Sequence, residues 1–341
     1  MVATMPMDIV AAMPIGMNAI PHRRPTREGV IEAATKVAAI LPRTPLLPLE
    51  VEGRTIWCKA ESLQPVGAFK IRGAWHRLTA LSDEERGRGV VGVSSGNHAQ
   101  GVAWAAQRLG ITAAIVMPTD APAVKLANTR ALGAEVVLYD RPGGEDRDEV
   151  SQRLCAERGA TLVHAFGDPW IIEGQGSVAI EIAAQMAELG LGGPDLIVTP
   201  CGGGGLTAGI ALALPDAAVI PVEPEGWDDV CRSLASGEIQ RVAADAPPTA
   251  CDALQTPATW PVNFEVLKAR CPFGLIATPA EVRAAQRLAF AKLRLVIEPG
   301  GAAALAAVLA GKVELTDRTA VVLSGGNTDA EAFAKVLSGN G

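Results

Sequence analysis

Missing from this sequence is any CxxC pair. Its six cysteines (Cys58, Cys155, Cys201, Cys231, Cys251, Cys271) are scattered, and no histidine neighbours any of them. Zinc sites show such spacings, so a structural zinc is not expected. Buried, reduced thiols are the expectation instead, which fits a cytoplasmic protein. A basic excess is also lacking. The net charge is −7 with acids and bases interspersed, which excludes the basic face of a nucleic-acid partner. No run approaches the ~18 apolar residues of a membrane span. The stretch from Met1 to Ile20 is apolar, but it has no basic n-region and contains Asp8 and two prolines. It reads as a loose tail rather than a cleaved signal. No internal repeat or low-complexity tract is present.

What is present suits a large buried core. The chain has 341 residues, 49% of them hydrophobic, enough for two domains at about 150 residues each. From Val90 onward, short β-branched runs alternate with longer helical stretches. Strands are expected over Val90–Val93, Ile111–Met117, Glu135–Tyr139, Asp195–Thr199, Ala218–Val222 and Ala320–Leu323. Helices are expected over His98–Leu109, Val124–Leu132 and Leu206–Leu214. That alternation implies an α/β fold, its parallel sheets covered on both faces. The polar loop Arg141–Asp148 is the clearest break in texture. Parallel sheets bind ligands beyond the carboxyl ends of their strands, so the segment after each strand matters most.

Four segments stand out. In Glu61-Ser-Leu-Gln-Pro-Val-Gly-Ala-Phe-Lys70-Ile-Arg-Gly-Ala74, Lys70 opens a stretch of helical spacing (Ile71, Ala74, Trp75, Leu78). An amine attacks an aldehyde only when neutral, and partial burial favours that state. Taken alone, a lysine after a phenylalanine reads as a surface residue, and the spacing by itself proves nothing. Ser94-Ser95-Gly96-Asn97-His98 lies between a strand and a helix, where backbone amides can cradle a carboxylate. Plain N-capping by Ser95 or Asn97 is the competing reading, and nothing nearby in sequence orients His98 as a base. Cys201-Gly-Gly-Gly-Gly-Leu206 also joins a strand to a helix. Four consecutive glycines serve badly as a plain turn but suit a phosphate ringed by N–H groups. Ser324-Gly-Gly-Asn327 comes after the last strand and reads equally well as a tight turn.

The third segment has a rival reading. Gly203-x-Gly205-x-x-Ala208 satisfies a dinucleotide fingerprint, with Glu223 twenty residues on, where an acid would hold the ribose of NAD. A nicotinamide-dependent oxidoreductase would leave the other three segments without a task.

In this order, the four segments resemble the serine/threonine dehydratase family of pyridoxal-phosphate enzymes, which includes serine racemase. The resemblance runs from Leu41-Pro-Arg-Thr-Pro-Leu46 to Asn327. It implies fold type II, the tryptophan synthase β-like architecture of two three-layer α/β/α domains. A large cofactor-binding domain would comprise residues 26–88 and 168–341, a small domain 89–167 would be inserted in it, and residues 1–25 would form an N-terminal extension. The resemblance also implies an ammonia-lyase that converts L-threonine or L-serine to a 2-oxo acid and ammonia. Serine racemase and hydroxyaspartate dehydratase are the alternatives. Lys70 matches the lysine that carries pyridoxal 5'-phosphate as a Schiff base, and Phe69 the residue flanking one ring face. Ser94, Gly96, Asn97 and His98 match the loop receiving the substrate carboxylate, with Asn97 also near the ring hydroxyl. Ser95 stands where racemases place a second acid/base. Gly202, Gly203, Gly204 and Gly205 match the phosphate loop, Ser324 the partner of the pyridine nitrogen, and Glu298 an acid near the cofactor. Glu223, Trp227 and Asp229 resemble a divalent-cation site, with oxygen ligands suited to Mg²⁺ or Ca²⁺. A homodimer is the expected assembly, acting on a small amino acid with no membrane or nucleic-acid partner.

Two departures bear on the substrate. Ala68 replaces a serine common two residues before the lysine, and Ala253 replaces a glycine common beside Asp252. No C-terminal regulatory domain, and so no feedback control by isoleucine, is expected.

Overall fold

The computed structural model describes residues 23–121 and 123–339. Of the extension expected over residues 1–25, residues 1–22 lie outside the described residues. Two sheets organise the rest. The larger has six strands: β1 (Leu46–Val51), β2 (Arg54–Ala60), β7 (Leu196–Pro200), β8 (Ala218–Pro224), β9 (Leu275–Ala277) and β10 (Thr319–Leu323), in the order β1-β2-β10-β7-β8-β9. Only the β1–β2 hairpin is antiparallel. The smaller sheet is wholly parallel, with β3 (Val90–Val93), β4 (Ala113–Pro118), β5 (Glu135–Tyr139) and β6 (Thr161–Val163) in the order β5-β4-β3-β6.

Strand side chains alternate between two cores, as a sheet buried on both faces requires. In the larger sheet, Val198, Val222, Val321 and Leu323 pack on one face with α12 (Pro299–Leu309) and α11 (Pro279–Leu288). Ile197, Val219, Ala320 and Val322 pack on the other with α7 (Pro169–Glu188) and α8 (Gly205–Ala213). In the smaller sheet, Val90 and Ile115 meet α4 (Asn97–Leu109) and α2 (Lys70–Thr79), while Val91 and Val116 meet α6 (Arg147–Arg158). The chain is therefore an α/β protein of two largely parallel sheets, as expected. Among the described residues, no helix is long and apolar enough to cross a membrane. All six cysteines are free, and burial pushes the Cys58 thiol up to about 12, which leaves it unreactive.

Helix starts differ in how their first amides are met. Side chains cap α6 (Asp146), α7 (Asp168, with Pro169 at the first position) and α11 (Thr278, in a capping box with Glu281). By contrast Gly96 occupies the cap position before α4 and Gly204 the one before α8, so neither helix has a side-chain cap. Capping by Ser95 or Asn97 is thus not what the structure shows. Ser94 Oγ instead accepts from the Gly96 amide at 3.1 Å. The serine-rich and the glycine-rich segments therefore each lead into a helix that no side chain caps.

Candidate active site

Lys70 is the first residue of α2, and Ile71, Ala74 and Leu78 bury one face of that helix. Beneath it lies a network of buried charges. Arg72 donates to both oxygens of Glu61 (2.7 and 2.8 Å) and both oxygens of Glu181 (2.7 and 2.9 Å). Lys59 donates to Glu181 at 2.7 Å and to the Thr44 carbonyl at 2.8 Å. Two cations balance two anions, which makes the burial tolerable and fixes the start of α2 against β2 and α7. From there Lys70 reaches the Ala165 carbonyl, 2.8 Å from Nζ. Burial lowers its ammonium from the usual 10.5 to about 8, while the side chain keeps a partial opening to solvent. That is the neutral-amine condition the sequence suggests.

The loops singled out by sequence converge on this lysine. Phe69 N donates to the Ser324 carbonyl at 3.1 Å, and Ala68 bridges Gly325, so the turn after β10 lies along the segment leading to Lys70. Ser324 itself is 4% exposed. Asn97, at the start of α4, donates to the Glu298 carboxylate at 2.7 Å and accepts from Asn327 at 2.8 Å. Glu298 is buried, and burial raises its carboxyl from 4.5 to about 7 against the opposing hydrogen bond from Asn97. A salt bridge of 2.7 Å from Lys125, in α5 (Ala123–Ala131), to Asp252 also joins the two sheet units. Ala253, beside it, is exposed.

The tetraglycine loop leaves β7 and opens α8. Gly204 has φ +88°, a conformation that favours glycine. A Cβ on Gly203 would sit 2.3 Å from the Phe166 ring. The Gly203 carbonyl accepts from Asn263 at 2.9 Å and from Thr259 at 3.2 Å, which pins the loop from outside. No described protein group accepts from the amides of Gly202, Gly203, Gly204, Gly205 or Leu206. A row of unused N–H donors at a helix start is what a phosphate dianion requires, so the loop fits the phosphate of the implied cofactor.

The segment between these loops is not singled out by the sequence. After β6 the chain runs Val163-His164-Ala165-Phe166-Gly167-Asp168. Ala165 receives Lys70, Phe166 packs on the glycine loop, and the Phe166 carbonyl accepts from Asn263 at 3.0 Å. His164 Nδ1 accepts from the Gly167 amide at 2.8 Å, and its ring lies 4.6 Å from those of Phe166 and Trp260. Asp168, held by Arg77 at 2.7 Å, closes the segment. Its functional atoms are mostly backbone, and side-chain patterns do not mark those. The one available cue is an Asp-Pro helix start directly after a short strand.

The sequence leaves His98 without an orienting partner, and the structure corrects this. Its Nε2 lies 2.9 Å from the Val163 carbonyl. Burial, with Lys70 nearby, lowers its pKa to about 3, so the ring is neutral and donates through Nε2.

Glu223 stands at the end of β8, but its oxygens accept from the amides of Val230 (3.1 Å) and Cys231 (2.7 Å) in α9 (Asp229–Ser236). Asp229 accepts from Thr259 N at 2.7 Å. Burial raises both carboxyls, and the Asp229 charge raises Glu223 further. Among the described residues no cluster of three or more His, Cys, Asp or Glu side chains forms. Two buried carboxylates and a backbone carbonyl are the donor types a hard cation takes, but in this structure both acids accept from backbone amides. An acid already engaged by a helix start is poorly placed to hold a ribose, which counts against the oxidoreductase reading.

Comparison with known proteins agrees with this geometry. The sequence pattern of a family described as pyridoxal-phosphate dependent enzyme matches residues 38–325. An L-threo-3-hydroxyaspartate ammonia-lyase of Saccharomyces cerevisiae is 36% identical over 324 residues, covering 92% of this chain and 97% of that protein. The crystal structure of a T.th. threonine deaminase superposes with a TM-score of 0.82 at 41% identity, covering 89% of this chain and 99% of the other. The structure of maize serine racemase gives a TM-score of 0.84 at 32% identity, covering 93% and 98%.

Proposed function

Because the chain belongs to the family of pyridoxal-phosphate dependent enzymes, we propose that it is an ammonia-lyase that removes water and then ammonia from a small β-hydroxy amino acid, L-threonine or L-serine. The observation that carries this reading is the dipeptide Ala165–Phe166. One residue receives the Lys70 amine and the next packs on the glycine loop, so a reactive amine and a phosphate cradle are brought together through one dipeptide.

When bound, the cofactor supplies an electron sink beside the substrate α-carbon. The remaining tasks fall to the chain. Gly202, Gly203, Gly204 and Gly205 would hold the phosphate through backbone amides. Phe69 would flank the ring, Asn97, oriented by Glu298, would serve the ring hydroxyl, and Ser324 would be a neutral partner for the pyridine nitrogen. Ser94, Gly96, Asn97 and His98 receive the substrate carboxylate at the uncapped start of α4. Lys70 Nζ, neutral in a useful fraction because burial lowers its pKa to about 8, takes the Cα proton. Glu223, Asp229 and the Trp227 carbonyl would hold Mg²⁺ or Ca²⁺ away from the chemistry.

A second reading takes 3-hydroxyaspartate as substrate. This reading is favoured by the yeast relative, which bears that activity in its name. Purified protein loaded with pyridoxal phosphate should be offered L-threonine, L-serine and L-threo-3-hydroxyaspartate, with 2-oxo acid, ammonia and the opposite enantiomer measured. Release of 2-oxo acid and ammonia in equal amounts from threonine or serine supports the first reading. Turnover of hydroxyaspartate alone replaces it with the second, and enantiomer without 2-oxo acid overturns both.

A further inference from the structure

The family reading gives the His98 backbone a place in the carboxylate loop but leaves its buried ring without a task. His98 is 2% exposed, sits at the second position of α4, and is directed by its Nε2–H onto the Val163 carbonyl. Its Nδ1 has no partner among the described residues. Two residues beyond Val163, the Ala165 carbonyl accepts the Lys70 amine at 2.8 Å. The intervening His164 is tied by its Nδ1 to the amide of Gly167. These bonds hold the turn on both sides of Ala165, beside the pairing of Val163 with Gly92 in the sheet.

We infer that His98 is a positioning residue for Lys70: its Nε2–H anchors the Val163–Ala165 turn, whose Ala165 carbonyl is the docking place of the lysine amine whenever that amine is not bonded to cofactor. The side chain of His98 then acts away from the substrate, although its own backbone lies in the loop proposed to receive the carboxylate. The inference rests on the reading of Lys70 as the cofactor lysine.

The carbonyl has a definite effect on the proton. An acceptor at hydrogen-bond distance favours the ammonium over the neutral amine, whereas burial favours the neutral form. Losing the dock while keeping the burial therefore lowers the pH at which Lys70 becomes neutral. General loosening of the site would readmit water and move that pH the other way, toward the ordinary lysine value. The sign of the shift separates positioning from plain structural damage.

The test uses cofactor-free protein mixed with pyridoxal phosphate between about pH 6 and 10, a range that brackets the Lys70 amine. Attachment is trapped with borohydride and read by the mass of the peptide containing Lys70, as a rate against pH. Wild type should show a midpoint near 8, the value to which burial brings the amine. His98→Met, which keeps the bulk but loses the donor, should move the midpoint down by half a unit or more. His98→Gln, whose amide nitrogen reaches as far as Nε2, should restore it. Should the methionine variant fail to fold, His98→Asn is too short to reach Val163 and makes the same comparison. An unchanged or raised midpoint overturns the inference, as does a glutamine variant as altered as the methionine one. Absence of attachment at Lys70 in wild type is a different failure, that of the functional reading itself.

Discussion

Asn97 and Glu298 lie 201 positions apart in the chain and meet at 2.7 Å, amide nitrogen to carboxylate oxygen, joining the helix of the small sheet to the first residue before α12. The bond fixes which way the Asn97 amide points. Its oxygen is left for Asn327, so a chain of three side chains runs from the buried acid to the turn after β10.

Glu298 should make the cofactor-free protein sensitive to pH. Burial raises its pKa from 4.5 to about 7, so the folded chain holds a proton that the unfolded chain releases. Stability from this group is therefore complete below about 4.5 and is lost as pH rises through 7, amounting to about 3 kcal/mol at most. Glu298→Gln should flatten that fall. Thermal unfolding midpoints of both proteins from about pH 5 to 8.5 give the comparison, and parallel curves would refute the assignment.

Arg72 should be among the most costly positions to change. Its guanidinium is fully buried and serves two carboxylates, so Arg72→Met leaves Glu61 and Glu181 with only Lys59 to offset them. Uncompensated buried charge costs about 3–5 kcal/mol. Lysine has no planar fork to serve both acids, so Arg72→Lys should recover only part of the loss. Urea midpoints measure this. A loss below about 1 kcal/mol for methionine, the scale of an exposed pair, would mean the network is not a structural anchor.

Much of this architecture is legible because two periodicities alternate cleanly in the chain. The strand over Val90–Val93 is found to the residue, and the loops after β3, β7 and β10 stand out because each interrupts a β-branched run with small residues. Boundaries slip where tertiary contacts intervene. Ile111 reads as part of a strand, but its amide closes α4 onto Ala106 at 2.9 Å, past the left-handed Gly110, so β4 begins at Ala113. Thr161–Val163 is too short a strand to announce itself, and the carbonyl that docks Lys70 has no side-chain signature. The Arg72 network is equally hidden, because Lys59, Glu61 and Glu181 come together only when β2, α2 and α7 pack.

Gly203 should resist even a methyl group. A Cβ there meets the Phe166 ring at 2.3 Å, and the ring is wedged against His164 and Trp260. Overpacking of this kind costs about 1–3 kcal/mol. Gly203→Ala should also weaken pyridoxal-phosphate retention by about tenfold or more, since about 1.4 kcal/mol is tenfold in affinity. Pairing it with Phe166→Leu, which removes the clashing edge, should return part of both losses. Cofactor dissociation tracked by absorbance decides the matter, and unchanged retention in Gly203→Ala would remove the loop from the phosphate site.

The pair Glu223 and Asp229 yields the last expectation. Each is buried, each is pushed toward its protonated form, and the negative charge of one opposes that of the other. A bound Mg²⁺ or Ca²⁺ would reverse this, because it favours both ionised forms at once. Added cation should therefore raise the unfolding temperature, and more so as pH rises, since protons and cation compete for the same oxygens. At a cation concentration about one hundred times its dissociation constant, the gain is about 2.7 kcal/mol. Glu223→Gln should abolish the cation effect and lower stability modestly without cation, because the amide keeps one oxygen for the start of α9 but turns its NH2 toward the second of the two N–H groups that Glu223 serves. Differential scanning calorimetry with Mg²⁺, with Ca²⁺ and with chelator tests both halves. A wild type whose unfolding ignores all three would leave Glu223 as an acceptor for the start of α9 and Asp229 as an acceptor for the Thr259 amide, and nothing more.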